Sequence, residues 1–270
     1  MELQKNELKK LCRSVVQLSR ETGVWIKKEM QKVSRKDVET KGLHDFVTYV
    51  DKGAEKRLTK KLEQLLPEAG FLVEENTISR RGNEYTWIVD PLDGTTNFIH
   101  GIPCFSISIA LVKMDKPVLG VVYEINSNEA FYSWEGGKAY MNNRIIKSSK
   151  AENLNDSLFA TGFPYYDYSR MDNYFILFEH CLKNTRGVRR LGSAAVDLAY
   201  VACGRFDGFF EYSLNPWDVA AGAFLVKQAG GKVADFSGND NYIFGKEIVA
   251  TNSLLYDEFI DVVKRSMGGG

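Results

Sequence analysis

Trp87-Ile88-Val89-Asp90-Pro91-Leu92-Asp93-Gly94-Thr95-Thr96-Asn97-Phe98 is the stretch from which the rest of the chain is best read. Its opening is an apolar run of the kind that forms a buried strand, and it delivers two carboxylates, Asp90 and Asp93, to one tight turn. Held roughly 4 Å apart at an effective dielectric near 20, two such groups repel by about 4 kcal/mol. A cation between them removes that cost. Hard oxygen donors on a turn suit Mg²⁺, which keeps part of its water and binds through one or two carboxylates plus phosphate oxygens. Gly94 lets the backbone approach a ligand closely, and Thr95, Thr96 and Asn97 read as the start of a short helix whose open N–H groups suit an anion. By itself a D-x-x-D turn is a weak signal, because Asp in turns commonly bonds its own backbone. Asp93 also fits the N-cap of that short helix.

Outward from this stretch, the sequence predicts two helices before it. Leu8, Leu11, Val15, Leu18, Trp25 and Ile26 recur at helical spacing through the first thirty residues, and Ala54, Leu58, Leu62 and Leu65 share a face from Asp51 until Pro67 stops the run. The segment from Lys41 to Thr48 reads as a loop entering the second helix, its tip placed to cover a site. Strand-like runs dominate next, at Gly70–Glu74, Tyr85–Asp90, Phe105–Val112, Val118–Ile125 and Ala130–Trp134, and their turn signals predict a mostly antiparallel meander. After about residue 150 strands and helices alternate, ending in a helix over Leu254–Lys264. No repeat or low-complexity linker interrupts the chain. The expected organisation is a layered α+β and α/β sandwich of two subdomains, 1–148 and 149–270, sharing one packed body.

The 270 residues carry 35 Lys+Arg and 35 Asp+Glu, so a net charge of zero gives no global attraction to nucleic acid or an anionic membrane. The first residues lack an apolar signal region and no apolar stretch approaches the roughly 20 residues of a membrane span, which points to the cytoplasm. Cys12, Cys104, Cys181 and Cys203 form no Cys-x-x-Cys pair and read as buried free thiols. His44, His100 and His180 have no metal-ligand spacing.

Two further acidic features stand where a strand ends or a helix begins. Glu74 and Glu75 close the strand Leu72-Val73, and Asn215-Pro216-Trp217-Asp218 opens a helix with Asp218 at the positive end of its dipole. On local grounds a solvated turn accounts for Glu74 and Glu75, and simple dipole compensation accounts for Asp218. Val73-Glu74-Glu75, Trp87 through Phe98, and Trp217-Asp218-Val219-Ala220-Ala221-Gly222 nevertheless resemble, in order, the signature blocks of the inositol monophosphatase family. Asp45-Phe46-Val47-Thr48-Tyr49-Val50-Asp51 is similar to the family's D-x-V-T-x-x-D segment, and the resemblance runs from about residue 40 to 255, including Arg190-Leu191-Gly192-Ser193-Ala194-Ala195 and Gly230-Gly231.

This resemblance implies an αβαβα sandwich of the sugar-phosphatase type, often homodimeric, that hydrolyses small phosphorylated substrates with two or three Mg²⁺ ions and is inhibited by Li⁺. It implies Glu74, Asp90, Asp93, Asp218 and the Leu92 carbonyl as metal ligands, with Asp90 bridging two ions. Asp51 and Thr95 would orient and help deprotonate a metal-activated water for in-line attack, with Glu74 counted among the catalytic groups. Glu75 matches a position near the metal. Asp93, Gly94, Thr95, Gly192, Ser193, Ala194, Glu211 and Asp218 would contact the substrate, Glu211 accepting from polyol hydroxyls, although a surface strand end is its ordinary alternative. Two departures bear on substrate: Asn215-Pro216 stands where the animal enzymes often have His-Cys, and Val73 where Gly usually precedes the Glu pair. Thr96, where phosphatases of 3′-phosphoadenosine 5′-phosphate usually carry Lys, disfavours that substrate. Fructose 1,6-bisphosphate, histidinol phosphate and NADP stay open, as does a regulatory or binding scaffold that retains the fold.

Overall fold

A computed structural model of the chain describes residues 2–33, 38–42, 45–78, 80, 82 and 84–268. The long first helix, α1 (Lys5–Met30), buries a stripe running from Leu8 through Leu11, Val15 and Leu18 to Ile26. A short hairpin, β1 (Val38–Gly42) antiparallel to β2 (Asp45–Thr48), then runs directly into α2 (Tyr49–Leu65). The loop expected from Lys41 to Thr48 is therefore largely strand: the β-branched and aromatic residues at 46–48 find a partner in 38–40. Leu43 and His44, at the expected tip, lie outside the described residues.

Seven strands follow as one sheet in sequence order: β3 (Gly70–Val73), β4 (Tyr85–Asp93), β5 (Ser106–Lys113), β6 (Lys116–Glu124), β7 (Glu129–Trp134), β8 (Tyr140–Met141) and β9 (Arg144–Ile145). Only β3 and β4 pair in parallel; the remainder is the expected antiparallel meander. The six-residue α3 (Thr95–His100) lies between β4 and β5.

The second half is a five-stranded sheet in the order β11-β10-β12-β14-β13, built from β10 (Leu158–Thr161), β11 (Gly187–Arg189), β12 (Gly208–Tyr212), β13 (Lys232–Ala234) and β14 (Glu247–Thr251). Its helices are α4 (Met171–Asn184), α5 (Ala194–Ala202), α6 (Pro216–Gln228) and α7 (Tyr256–Met267). From α1 and α2 the layers run through the seven-stranded sheet to α5 and α6, then the five-stranded sheet, then α4 and α7. This is the expected αβαβα sandwich. Its apolar interior divides accordingly: one core under α1 and α2, one around α5 and α6 between the sheets, and one under α4 and α7. The middle layer touches both sheets, so α5 and α6 are buried on nearly every face, and their sequences are apolar almost throughout. No helix among the described residues is long and apolar enough to cross a membrane.

Candidate active site

The Asp90–Asp93 turn is a bulge at the end of a strand. β4 pairs with β5 through Asp90↔Ser108, loses register, and resumes at Asp93↔Ser106. Pro91, which has no N–H to give the ladder, sits inside the irregularity. The bulge and the N-terminal ends of α5 and α6 open onto one cleft that encloses about 820 Å³ including its mouth. Glu74, Asp90, Leu92, Asp93, Thr95 and Asp218 line it.

Asp90, Asp93 and Asp218 are each held by a backbone N–H. Asp90 Oδ1 accepts from the Leu92 N–H at 2.9 Å. Asp93 Oδ2 accepts from Ser193 Oγ at 2.6 Å and from the Ala195 N–H at 2.8 Å, joining the bulge to the first turn of α5. Asp93 thus serves a helix N-terminus, though of α5 and not of α3, whose N-cap is Gly94 in the left-handed region at φ 94°. Ser193 caps α5, its oxygen accepting from the Val196 N–H while its proton goes to Asp93, so Ser106 Oγ must be the donor in the 3.2 Å contact with Ser193. Asp218 Oδ2 accepts from the Asn215 N–H at 2.7 Å, the reciprocal half of a capping box on α6. That bond holds Asp218 in the first turn of α6.

Thr95 and Asp51 meet as expected: Thr95 Oγ1 lies 2.9 Å from Asp51 Oδ1. Asp51 Oδ2 accepts from the Thr48 N–H at 2.8 Å and from Thr48 Oγ1 at 2.7 Å, within a capping box on α2. The Leu92 carbonyl is also 3.0 Å from Thr95 Oγ1. One hydroxyl proton faces two acceptors, and the carboxylate is the stronger.

Burial and mutual repulsion raise the acids. Asp90 is pushed well above the carboxylate range by burial first, then by Glu74, Asp93 and Asp218, and it shares a hydrogen bond with Glu74. Burial lifts Asp93 to about 6, against the bonds from Ser193, Ala195 and Ala194 and the charge of Arg190. Asp51 is raised by burial, against its bonds from Thr48 and Thr95.

Among the described residues no three His, Cys, Asp or Glu side chains form a preassembled metal cluster. The electrostatics nevertheless couple Glu74, Asp90, Asp93 and Asp218 across one cleft. Like charges that converge on one cleft repel, a cost that a bound cation would relieve. All the donors are hard oxygens, which fits Mg²⁺.

Gly192, Ser193, Ala194 and Glu211 line the same cleft, as do Gly94 and Thr95. Gly192 has φ 89°, and a Cβ there would meet Asn97 Nδ2 at 2.8 Å. Asn97 donates to the Cys104 and Leu191 carbonyls, both at 2.7 Å, and so clamps the 191–194 loop against the bulge. That role was not evident from the sequence, where Asn97 reads only as part of a helix start. Glu55 was missed too. It is buried four residues after Asp51, and its carboxylate accepts from the Glu75 and Thr77 N–H groups at 2.7 Å each, fixing the turn that carries Glu74. Glu75 does not line the cleft. Glu211 is buried and is not the surface strand end that was its alternative. Neither His100 nor His180 borders the cleft, and all four cysteines are free, Cys104 and Cys203 only partly buried.

Residues 7–267 match the profile of the inositol monophosphatase family. The chain belongs to that family. It is 37% identical over 258 residues to the inositol-1-monophosphatase of Mesorhizobium japonicum, covering 95% of this chain and 97% of that protein. It is 38% identical over 259 residues to the Nus factor SuhB of Escherichia coli K12, covering 93% and 97%. The crystal structure of the extragenic suppressor protein SuhB from Bartonella henselae superposes with a TM-score of 0.89 at 38% identity, covering 94% and 98%. Members of one family at similar identity thus carry both the name inositol-1-monophosphatase and the name Nus factor.

Proposed function

We propose that this protein hydrolyses phosphate monoesters with the help of Mg²⁺, in the manner of an inositol monophosphatase. The observation that carries the reading is the convergence of Glu74, Asp90, Asp93 and Asp218 on one cleft beside the Thr95–Asp51 hydrogen bond. Glu74, Asp90, Asp93, Asp218 and the Leu92 carbonyl would hold two or three Mg²⁺ ions, whose chemistry is to neutralise phosphate charge and acidify water. The chain's own groups do the positioning that phosphoryl transfer chiefly needs. Thr95 Oγ1, donating to Asp51 Oδ1, keeps its lone pairs for a proton of the attacking water. As that water closes on phosphorus, its proton moves to Thr95 Oγ1 and the Thr95 proton moves to Asp51 Oδ1, while the ester P–O bond breaks on the opposite side and the departing alkoxide oxygen takes a proton from solvent water. A raised Asp51 is the better acceptor for it. The Gly192–Ala194 loop and Glu211 would face the leaving alcohol.

The test is phosphate release from inositol 1-phosphate, fructose 1,6-bisphosphate, histidinol phosphate, NADP and 3′-phosphoadenosine 5′-phosphate at varied Mg²⁺. Release that requires Mg²⁺ is the expected result, and no release from any ester at any Mg²⁺ concentration sinks the proposal. A binding role is the second reading, favoured by the relatives named as Nus factors. It would prevail if the parent protein proved inactive while still folded. A homodimer fits the outward face of α4, where Phe175, Ile176 and Leu182 are each more than half exposed; sedimentation of the free chain would check it.

A further inference from the structure

Asp197 is the one charged residue of α5, a helix otherwise made of Ala, Val, Leu and Tyr. It is 1% exposed, it lines the cleft, and its Oδ1 has no hydrogen-bond partner. Glu211, on β12 against which α5 packs, is 6% exposed and lines the same cleft. Its carboxyl lies directly over Gly162, where an added Cβ would fall 2.0 Å from Glu211 Oε1, so the backbone there is shaped around the acid. Burial and neighbouring charge act on both acids, and no hydrogen bond offsets them in either case. Arg190, which also lines the cleft, bonds elsewhere: its Nη2 donates to Tyr165 Oη at 2.8 Å, and its guanidinium lies 5.5 Å from the centre of the Phe163 ring.

Buried acceptors without donors are rare in native proteins and destabilise the fold that holds them. At a binding cleft, the missing donors are supplied by what binds there. We propose that Asp197 is a specificity-determining residue which, paired with Glu211, accepts hydrogen bonds from hydroxyl or amino groups on the alcohol half of the substrate. The cleft then selects phosphate esters of donor-rich alcohols, such as polyols, over aryl esters, which bring no donor to these two acids. This rests on the phosphatase reading and narrows its substrate class. Burial, the other acid and Asp93 hold Asp197 well above the usual carboxylate range, against Arg190, which favours a protonated carboxyl able to donate as well as accept.

The experiment compares the full-length parent with Asp197→Ala and Asp197→Asn in Mg²⁺, on inositol 1-phosphate, fructose 1,6-bisphosphate and phenyl phosphate, and records Tm for each protein. In Asp197→Ala the ratio of kcat/KM for inositol 1-phosphate over phenyl phosphate should fall by about tenfold or more, through KM, as when a site built to bind a hydroxyl loses its partner. Asp197→Asn, which keeps one acceptor, should recover part of the ratio. Neither variant should melt below the parent, because the side chain removed was making no bond. An unchanged ratio overturns the proposal. So does a lower Tm, insolubility of Asp197→Ala, or an equal loss on all three esters, since each marks a structural role. A parent silent on every ester overturns the phosphatase reading and this proposal together, whereas an active parent with an unchanged ratio overturns this one alone.

Discussion

The buried acids in and beside the cleft fall into two groups that differ in what they touch. Of the bulge-side acids, Asp51, Asp93 and Asp218 each give one oxygen to the first turn of a helix, and Asp90 gives one to the Leu92 N–H. In the other group Glu211 and Asp197 have no such bond. In the proposed mechanism this difference follows the chemistry. Groups that must meet a fixed charge at every turnover are held by the backbone, so their orientation costs nothing when the reaction begins. Groups that face the alcohol are left for the ligand to satisfy, and stability is sacrificed for selectivity. The cap and the ligand site are also not rival explanations of Asp218 or Asp51, because a carboxylate has two oxygens and a cap uses one.

The sharpest way to break this comparison is at Asp93. Asp93→Asn retains an oxygen to accept from Ser193 and Ala195 but removes the charge, so turnover should fall by about three orders of magnitude or more, as befits an electrostatic group in a secluded site. Its melting temperature should change little. Near-normal turnover would show that the bulge-side acids are only caps. Thr95→Ala should lower kcat by about a hundredfold with little change in KM, the scale of a proton-transfer group, and Thr95→Ser should restore much of it. An equal loss in Thr95→Ala and Thr95→Ser would remove the hydroxyl from the mechanism.

Much of this was legible in the sequence, for identifiable reasons. The layers follow from apolar periodicity and turn residues, which report burial directly, and strands such as Phe105–Val112 and Val118–Ile125 fall within a residue or two of those found. The bulge-side acids were legible because they occupy short blocks between a strand and a helix. Two kinds of feature were not. The hairpin at 38–48 depends on pairing between two short strands, neither of which shows a pattern long enough to stand alone. Glu55, Asn97 and Asp197 act across distances the sequence does not display. Glu55 meets Glu75 and Thr77 about twenty residues on, and Asn97 meets Leu191 across 94. Asp197 did leave a local signal, a lone acid in an apolar helix, whose meaning appears only when β12 and the cleft are placed beside it.

A pH series sharpens the bulge side without any assay of turnover. The folded-state value for Asp93 near 6 lies above its ordinary value of 3.8. A raised acid binds more protons folded than unfolded, so its contribution to stability is present below about 4 and is lost as pH rises through about 6. The protein without divalent ions should therefore lose Tm across that window. Mg²⁺, binding the ionised form, should restore it, and the Mg²⁺-induced rise in Tm should be larger at pH 7.5 than at pH 5. At a hundredfold excess over Kd the stabilisation is about 2.7 kcal/mol, a rise of roughly 5 to 10 °C for a chain of this size. A rise independent of pH would separate ion binding from these acids.

The smallest effect contrasts the two groups by stability alone. Ser193 caps α5 and donates to Asp93, so Ser193→Ala removes a cap and one bond to a buried acid. Loss of an N-cap costs about 0.5 to 2 kcal/mol, which lowers Tm by roughly 1 to 8 °C. Glu211→Gln keeps the shape of a side chain that makes no hydrogen bond and removes an acid that burial, Asp218 and Asp93 all disfavour in its charged form. Its Tm should match or exceed that of the parent, and calorimetry of the two variants side by side would read both signs. If Glu211→Gln melted as early as Ser193→Ala, the acids facing the leaving group would be as firmly built into the fold as the bulge, and their unmet acceptors would need a partner inside the protein, not in the substrate.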